Sequence, residues 1–332
     1  TDVFDIELPA VQPTLDQYPI VPVTAAASGP RSLIPAPMVP PLDALAERWE
    51  ALTLATRDYV RKSGFTKVCL GISGGIDSSL TAAIAVDALG RNNVHGILLP
   101  SRYSSDHSLD DAYALAKNLG IETSTIPIEP AHTALAEMLL PHVSDGVIEV
   151  GDLTDQNLQA RIRGVVWMAM SNEHGWLALT AGNKSEAAVG YSTLYGDTAG
   201  AFAVIKDVWK LTVYELGRWR NQVAMMETGS GVIPEGALTR APSAELRPGQ
   251  TDDQSLPPYE VLDPILKAYV EEDFTVAELI ATEIAEPEII ERICRLVDIA
   301  EFKRRQTPLG ARLTNKAFGR DRRMPIVNRY RG

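Results

Sequence analysis

Apolar residues recur at roughly helical spacing between residues 42 and 61, at Leu45, Trp49, Leu52, Leu54 and Tyr59, with Gly64 beyond. That pattern predicts an opening helix closed by a glycine. The chain then runs apolar over residues 68–72, long enough for a fully buried strand. Ser73-Gly74-Gly75 follows, where the backbone can turn sharply and approach a ligand closely. Asp77-Ser78 opens an apolar segment over residues 80–89 that reads as a helix.

Strand and helix patterns alternate beyond it. Residues 94–99 read as a second strand ended by Pro100, and Ser108 with Asp111 reads as a capping box for a helix ending at Gly120. Residues 122–128 predict a third strand, and a long helix is expected over residues 155–173, stopped near Gly175. A fourth strand over 176–180 and a weaker fifth over 202–205 follow, then a helix over 207–221. This order predicts an α/β fold, a five-stranded parallel sheet with right-handed crossovers and helices on both faces. Ligands of such sheets lie at the carboxyl ends of the strands, where the Ser73–Ser78 turn falls.

Two stretches break the pattern. Nine of the 22 prolines fall before residue 43, with no helical period, so residues 1–42 should be an extended connector. The chain also begins without Met, and a fragment or processed product is the expectation. Residues 228–258 are rich in Gly, Pro, Ser and charge, and a loop that long is usually functional or disordered. Helical patterns return at 262–270, 276–281 and 287–300, so residues 259–332 are expected to form a helical extension with a basic tail.

Composition narrows the classes. A chain of 332 residues with 45% hydrophobic and 22% charged residues is ordinary for a soluble globular protein. A net charge of −12 argues against broad nucleic-acid binding, and any anion site must be locally basic. Two cysteines, Cys69 and Cys294, with no Cys-x-x-Cys pair, fit a reducing compartment without a disulfide framework or zinc site. No apolar run approaches a membrane span, and a cytoplasmic location is expected.

A strand, a glycine turn and a helix N-terminus together make an anion site, because free N–H groups and the helix dipole converge there. The spacing matches neither the P-loop nor Gly-x-Gly-x-x-Gly. Gly71-Ile72-Ser73-Gly74-Gly75-Ile76-Asp77-Ser78 resembles the Ser-Gly-Gly-x-Asp-Ser loop of the ATP pyrophosphatase superfamily, which cleaves ATP between its α- and β-phosphates. Three further blocks sharpen the resemblance: Asn157-Leu158-Gln159-Ala160-Arg161; Gly182-Asn183-Lys184-Ser185-Glu186 with Tyr195-Gly196-Asp197; and Phe302-Lys303-Arg304. Together they resemble the synthetase domain of NAD synthetase, in its two-domain glutamine-dependent form, over roughly residues 43–330.

That resemblance implies a Rossmann-like fold of the adenine nucleotide alpha hydrolase type and a ligase reaction. The nicotinate carboxylate of deamido-NAD attacks the α-phosphate of ATP, and ammonia then displaces AMP to form NAD. Two anions meet in the first step, so metal and cationic side chains must neutralise charge. The resemblance assigns the loop residues Gly71, Ile72, Ser73, Gly74, Gly75, Ile76, Asp77 and Ser78 to ATP, with Asp77 on Mg²⁺. It makes Glu186 a second magnesium or deamido-NAD contact, Lys210 an ATP-phosphate contact one turn into its helix, and Ser243 another from the long loop. Asp77, Glu186 and Lys210 are thus the expected catalytic set. Asn157 and Arg161, four residues apart on one helix face, would contact deamido-NAD with Lys303, and Arg102 would contact ATP.

The plainer alternatives are a helix-dipole carboxylate for Asp77, a solvated Glu186, a turn serine at Ser243, and a basic surface tail around Arg304, Arg305, Arg320, Arg322 and Arg323. The chain departs from the family at Ala181, where only backbone can serve ATP in place of a threonine, at Leu194 in place of a lysine, and at Phe302 in place of a histidine. Neither cysteine sits in a Cys–Glu–Lys glutaminase context, so free ammonia, or a glutaminase domain or subunit as partner, is expected. The family works as a homodimer, which implies a homo-oligomer here. Competing readings are a guanylate synthetase-like amidotransferase, a tRNA thiolase, and a non-catalytic nucleotide-binding regulator.

Overall fold

In the computed structural model the described residues are 40–143 and 152–327. The connector expected over residues 1–42 lies outside them except for its last three residues.

The first helix, α1 (Ala44–Lys62), is capped by Asp43, whose carboxylate accepts from the Leu45 and Ala46 amides at 3.0 and 2.9 Å. Its chain leaves through Gly64 at φ +85° and enters β1 (Val68–Gly71), buried along its length to Leu70. Next come α2 (Ile76–Leu89), β2 (Val94–Leu98), α3 (Asp106–Leu119), β3 (Glu122–Thr125) and α4 (Glu129–Leu139). Beyond residue 151, α5 (Leu153–His174) turns at Gly175 into β4 (Leu177–Thr180), followed by α6 (Lys184–Val189) and β5 (Phe202–Ala203). The remainder is helical: α7 (Lys210–Thr228), α8 (Glu235–Thr239), α9 (Tyr259–Val270), α10 (Val276–Ala281), α11 (Pro287–Ile299) and α12 (Glu301–Arg304).

The five strands pair in the order β3-β2-β1-β4-β5, all parallel, as the alternating pattern predicts. Val68 pairs with Val94 on one side and Leu177 on the other, which makes β1 the central strand. The chain leaves β1 in one direction for β2 and β3 and returns to the other side for β4. The carboxyl ends of β1 and β4 therefore flank the crevice where parallel sheets bind ligands.

Both faces of the sheet are covered. One core packs Leu70, Leu80, Ile84, Val213 and Leu216 together, and the other packs Cys69, Ile97, Ile128, Ile162 and Ala178. The alanines of α2 (Ala82, Ala83, Ala85, Ala88) let it seat closely against α1 and the sheet, so nearly every residue of α2 is buried. A third core joins α6 to α9 and α11 through Ala188, Leu262, Ile265, Ile290 and Val297. The helical extension is thus an integral wall of the site side.

Several local expectations are corrected. The α3 cap is Ser105, whose hydroxyl accepts from the Ser108 amide at 3.2 Å, so the helix starts three residues before the capping box read from Ser108. β3 ends at Thr125, although the Ile126 and Ile128 amides still donate to the Leu98 and Pro100 carbonyls before α4 begins at Glu129. β5 stops at Ala203, where the Lys206 amide turns back onto the Ala203 carbonyl. α7 starts at Lys210 and runs on to Thr228, so Lys210 is its first residue rather than one turn in. The long loop carries the short α8 and a 3₁₀ turn at Asp252–Gln254. The tail arginines divide: Arg304 is buried on the Ala188 and Val297 carbonyls and Arg322 stacks over Tyr269, while Arg320 and Arg323 are exposed.

Lys184 is fully buried at the start of α6. Its ammonium meets Asp207 at 2.8 Å, Glu271 at 2.7 Å and the Lys316 carbonyl at 2.8 Å, and lies 4.6 Å over the Trp209 ring. A buried ammonium needs such complete pairing to offset its desolvation. This network ties the turn after β4 to α9 and the C-terminal segment.

Candidate active site

The turn after β1 is braced from within. The Ser73 amide donates to Ser78 Oγ at 3.2 Å, the Gly75 amide donates to Ser73 Oγ at 3.3 Å, and Ser79 Oγ donates to the Gly75 carbonyl at 2.8 Å. Gly74 holds φ +82°, and a Cβ there would lie 2.1 Å from the Ser108 carbonyl oxygen, so only glycine fits. Gly75 caps α2 without a side-chain bond, which leaves the first amides of a 14-residue helix facing the crevice. That is the chemistry of a phosphate cradle.

Asp77, the second residue of α2, lies directly over this cradle. Its Oδ1 accepts from Asn183 Nδ2 at 2.9 Å, and its Oδ2 is paired with Lys210 Nζ. Glu186 Oε1 stands 3.8 Å from the same ammonium. The Lys210 side chain is 2% exposed, whereas Asp77 and Glu186 are 19% and 20% exposed. The lysine thus rises from beneath and the two carboxylates face the crevice. Burial pulls the Lys210 ammonium down, but the Asp77 and Glu186 charges outweigh it and hold its pKa above the ordinary value. Burial and the Asp77 charge push the Glu186 carboxyl up to about 8, against the opposing Lys210 charge and the Asn183 amide. So raised, Glu186 is held largely protonated at neutral pH beside the Asp77–Lys210 pair, and an added cation would favour its ionised form.

Glu186 also completes a capping box with Asn183, its Oε2 accepting from the Asn183 amide at 3.2 Å. The structure adds a residue that the sequence did not flag. Asp252, buried in the long loop, accepts from Tyr259 Oη at 3.0 Å and lies near enough to add its charge to that of Asp77 around Glu186. Nothing in its Thr-Asp-Asp context signals this, because only the folded loop brings it there.

The second group of expected residues gathers around the loop after α6. Asn157 Oδ1 accepts from Thr193 Oγ1 at 2.7 Å, and Arg161 Nε donates to the Leu194 carbonyl at 3.2 Å. Lys303 Nζ donates to the Gly190 and Ser192 carbonyls at 2.8 and 2.7 Å. Burial lowers the Lys303 pKa, with Asp197 opposing. Gly164 fits this loop closely, since a Cβ there would meet the Tyr195 carbonyl at 2.6 Å. α6 is the strut between the two groups, with Glu186 near its start and the Gly190 carbonyl at its end. Asn157 and Arg161 also line a cavity of about 260 Å³ with Leu139, Leu153, Thr154 and Leu158. A larger hollow of about 760 Å³, beside Asn118, Asn221 and Met225, touches none of these groups.

Four residues singled out in the sequence make none of these contacts. Arg102 is paired with Glu129 at the start of α4. Ser243 Oγ donates to the Gln250 carbonyl at 2.6 Å and accepts from the Glu245 amide at 3.1 Å, the geometry of a turn serine. Ala181 is half-buried just past Thr180 and offers backbone alone. Phe302 is 43% exposed and free to pack against a ligand.

The sequence family described as NAD synthase matches residues 48–307, which span the loop, both carboxylates, Lys210 and Lys303. The chain belongs to the NAD synthase family. It is 49% identical over 317 residues to a glutamine-dependent NAD(+) synthetase of Thermotoga maritima, covering 95% of this chain and 53% of that protein. The solved glutamine-dependent NAD+ synthetase of Acinetobacter baumannii, in complex with adenosine diphosphate, is 45% identical with a TM-score of 0.59, covering 88% of this chain and 51% of that one. An NMN synthetase from Francisella tularensis is 25% identical with a TM-score of 0.63, covering 78% and 95%. The chain spans about half the length of the curated relatives it matches. As an NAD synthase family member it shares their parallel α/β sheet.

Among the described residues no helix is long and apolar enough to cross a membrane. Both thiols are buried, and burial pushes each up to about 12, which removes them as nucleophiles and disfavours a thiolase reading.

Proposed function

We propose that residues 43–332 are the synthetase domain of a glutamine-dependent NAD synthetase, and that residues 1–42 are the connector before it. The reaction is the amidation of deamido-NAD to NAD through an NAD-adenylate, with release of pyrophosphate and then AMP. The nitrogen is ammonia, free or delivered by a glutaminase domain or subunit. The observation that carries this reading is Lys210 held between Asp77 and Glu186 beside the Ser73–Ser78 turn.

In this reading the turn amides and the α2 N-terminus hold the departing pyrophosphate. The Lys210 ammonium offsets charge as the nicotinate carboxylate reaches the α-phosphate. Asn183 fixes Asp77, so its second oxygen meets Lys210 without rotation. Asn157, Arg161 and Lys303 orient the dinucleotide from the far end of α6. Asp77 and Glu186 suit Mg²⁺, because magnesium takes one or two carboxylates plus substrate phosphates. Among the described residues no three acidic or imidazole groups form an all-protein metal cage. When bound there, magnesium would supply charge neutralisation for the phosphates.

A homodimer, as the family resemblance implies, is part of the same reading. The two buried free cysteines suit the cytoplasm.

The test is an assay of this chain with ATP, Mg²⁺ and deamido-NAD, supplied with ammonia or glutamine, following NAD, AMP and pyrophosphate. NAD from ammonia but not from glutamine is the expected outcome. No pyrophosphate release by a folded sample would move the reading to a non-catalytic nucleotide-binding protein. A parallel arm with nicotinate mononucleotide separates dinucleotide from mononucleotide amidation.

A further inference from the structure

Lys210 is the first residue of α7, yet that helix has no cap of its own. Trp209 stands at the N-cap position, and an indole has no oxygen to accept from the free amides of the first turn. Two side chains from other helices supply the missing acceptors. The Lys210 amide donates to Ser185 Oγ at 2.9 Å, and the Leu211 amide donates to Asp263 Oδ2 at 2.9 Å. The Ser185 hydroxyl in turn donates to Asp263 Oδ1 at 2.5 Å, which joins the two acceptors into one unit. Ser185 is fully buried and Asp263 nearly so. Bulk water does not reach these bonds.

The same junction is tied from the α6 side. The Lys184 amide donates to the Val208 carbonyl at 2.9 Å, so the starts of α6 and α7 are held against each other. Ser185 therefore grips the backbone of Lys210 while its own neighbour in sequence is Glu186. At the other end of the Lys210 side chain, the rings of Tyr259 and Tyr214 lie 5.4 and 5.9 Å from the ammonium. A side chain walled in this way and 2% exposed has little freedom. Where its ammonium stands follows from where its backbone is held. Tyr259 and Asp263 are one turn apart on α9, which thus supplies both a wall for the ammonium and an anchor for the helix start.

We infer that Ser185 and Asp263 are positioning residues of this site, which fix the first turn of α7 so that Lys210 meets Asp77 and Glu186. A serine or aspartate at position 209 would satisfy the same amides. Such a local cap would leave the start of α7 free to shift against α6. Capping from α6 and α9 instead ties Lys210 to the residue beside Glu186, so the ammonium and the carboxylate keep their spacing as the crevice fills. The inference rests on the reading of Lys210 as the charge that offsets the first chemical step. It adds two residues that act through Lys210 rather than on a ligand.

The experiment measures pyrophosphate release from ATP, deamido-NAD and Mg²⁺ by the wild-type chain, S185A, D263N and S185A/D263N. S185A and D263N are then repeated in a K210M background, in single turnover with enzyme in excess, and every rate is expressed per folded site. S185A should lower kcat roughly 10- to 100-fold, as a displacement of about 1 Å does, with KM for ATP changed by less than about 3-fold. D263N should lower it roughly 3- to 10-fold, because it keeps an acceptor for the Leu211 amide but turns a donor toward Ser185. The double variant should be no slower than S185A, since the two side chains act as one unit. In K210M neither substitution should slow the residual rate by more than about 2-fold, because the group that they place is gone. An equal fold-loss in K210M and in the wild type overturns the inference, as does a loss confined to KM. A purely structural role would lower the unfolding temperature and leave the rate per folded site unchanged, and that too overturns it. If S185A does not fold, D263N in the two backgrounds decides. A wild-type chain that releases no pyrophosphate removes the reading of Lys210 itself, whereas independent losses in an active wild type remove this inference alone.

Discussion

Asn183 donates its side-chain amide to Asp77 Oδ1 at 2.9 Å, and so joins the turn after β4 to the helix after β1. Lys210 closes the same arrangement from α7 by pairing with the other Asp77 oxygen. Three segments far apart in sequence therefore fix one carboxylate. On the proposed reading K210M removes the charge that would offset the first chemical step, and pyrophosphate release should fall by roughly 10²- to 10³-fold. It also leaves Asp77 without its ion partner, which should cost about 1–3 kcal/mol of stability. Added Mg²⁺ should stabilise K210M more than the wild type, because it supplies the missing charge. Equal magnesium shifts in the two unfolding temperatures would argue against Asp77 and Glu186 as the metal pair.

Gly74 and Gly64 both adopt positive φ, at +82° and +85°, but their surroundings differ. A Cβ at Gly64 meets nothing within 4 Å, whereas one at Gly74 strikes the Ser108 carbonyl. G64A should cost about 1 kcal/mol and leave adenylation intact. G74A must also move the phosphate turn away from α3, so nucleotide binding should be lost along with ~2–4 kcal/mol of stability. Thermal unfolding paired with pyrophosphate release separates the two. A G74A protein with normal turnover would show that the turn does not hold the phosphates.

The apolar run into β1, its glycines and the apolar α2 are contiguous, and this is why the central part of the sheet is legible from sequence. The residues that pair across distance are not. Asn183 and Asp252 reach the crevice only through loops whose paths depend on the packing of α7 and α9. Lys184 reads as a surface residue in a polar turn, yet the folded chain surrounds it with Asp207 and Glu271. The α3 cap is ambiguous in sequence for a local reason: Ser105 and Ser108 are three residues apart and each looks like a helix start.

Asp263 offers a pH-dependent test away from the two carboxylates. Burial pushes its carboxyl up to about 6, against bonds from the Leu211 amide and Ser185 and the Lys210 charge. The folded-state pKa therefore exceeds the unfolded value of about 3.9. Such a group favours the folded state below pH ~4, and that contribution is lost as pH rises through about 6. D263N does not titrate. It should be less stable than the wild type at pH 4, having lost an acceptor, and the gap should narrow by about 1–3 kcal/mol by pH 7.5. Urea unfolding across that range measures it. A gap that widens with pH would mean that Asp263 is ionised well below 6.

The two thiols test where the nitrogen comes from. Glutamine hydrolysis by a glutaminase of this family needs a cysteine nucleophile, whereas amidation with free ammonia needs none. Cys69 is fully enclosed in β1 and Cys294 in α11, each with its thiol pushed up to about 12. Neither presents a thiolate near neutral pH. Iodoacetamide under native conditions should therefore leave ammonia-driven NAD formation unchanged, and both cysteines should alkylate only in denaturant. C69A should cost little, since it exchanges one small buried apolar group for another, whereas C69S buries a hydroxyl and should cost about 1–2 kcal/mol. Loss of ammonia-driven turnover on native alkylation would place a reactive thiol in the synthetase chemistry and overturn the assignment of that chemistry to Asp77, Glu186 and Lys210. Retained turnover with mass-spectrometric proof of two unmodified cysteines would confine any glutamine chemistry to another domain or subunit.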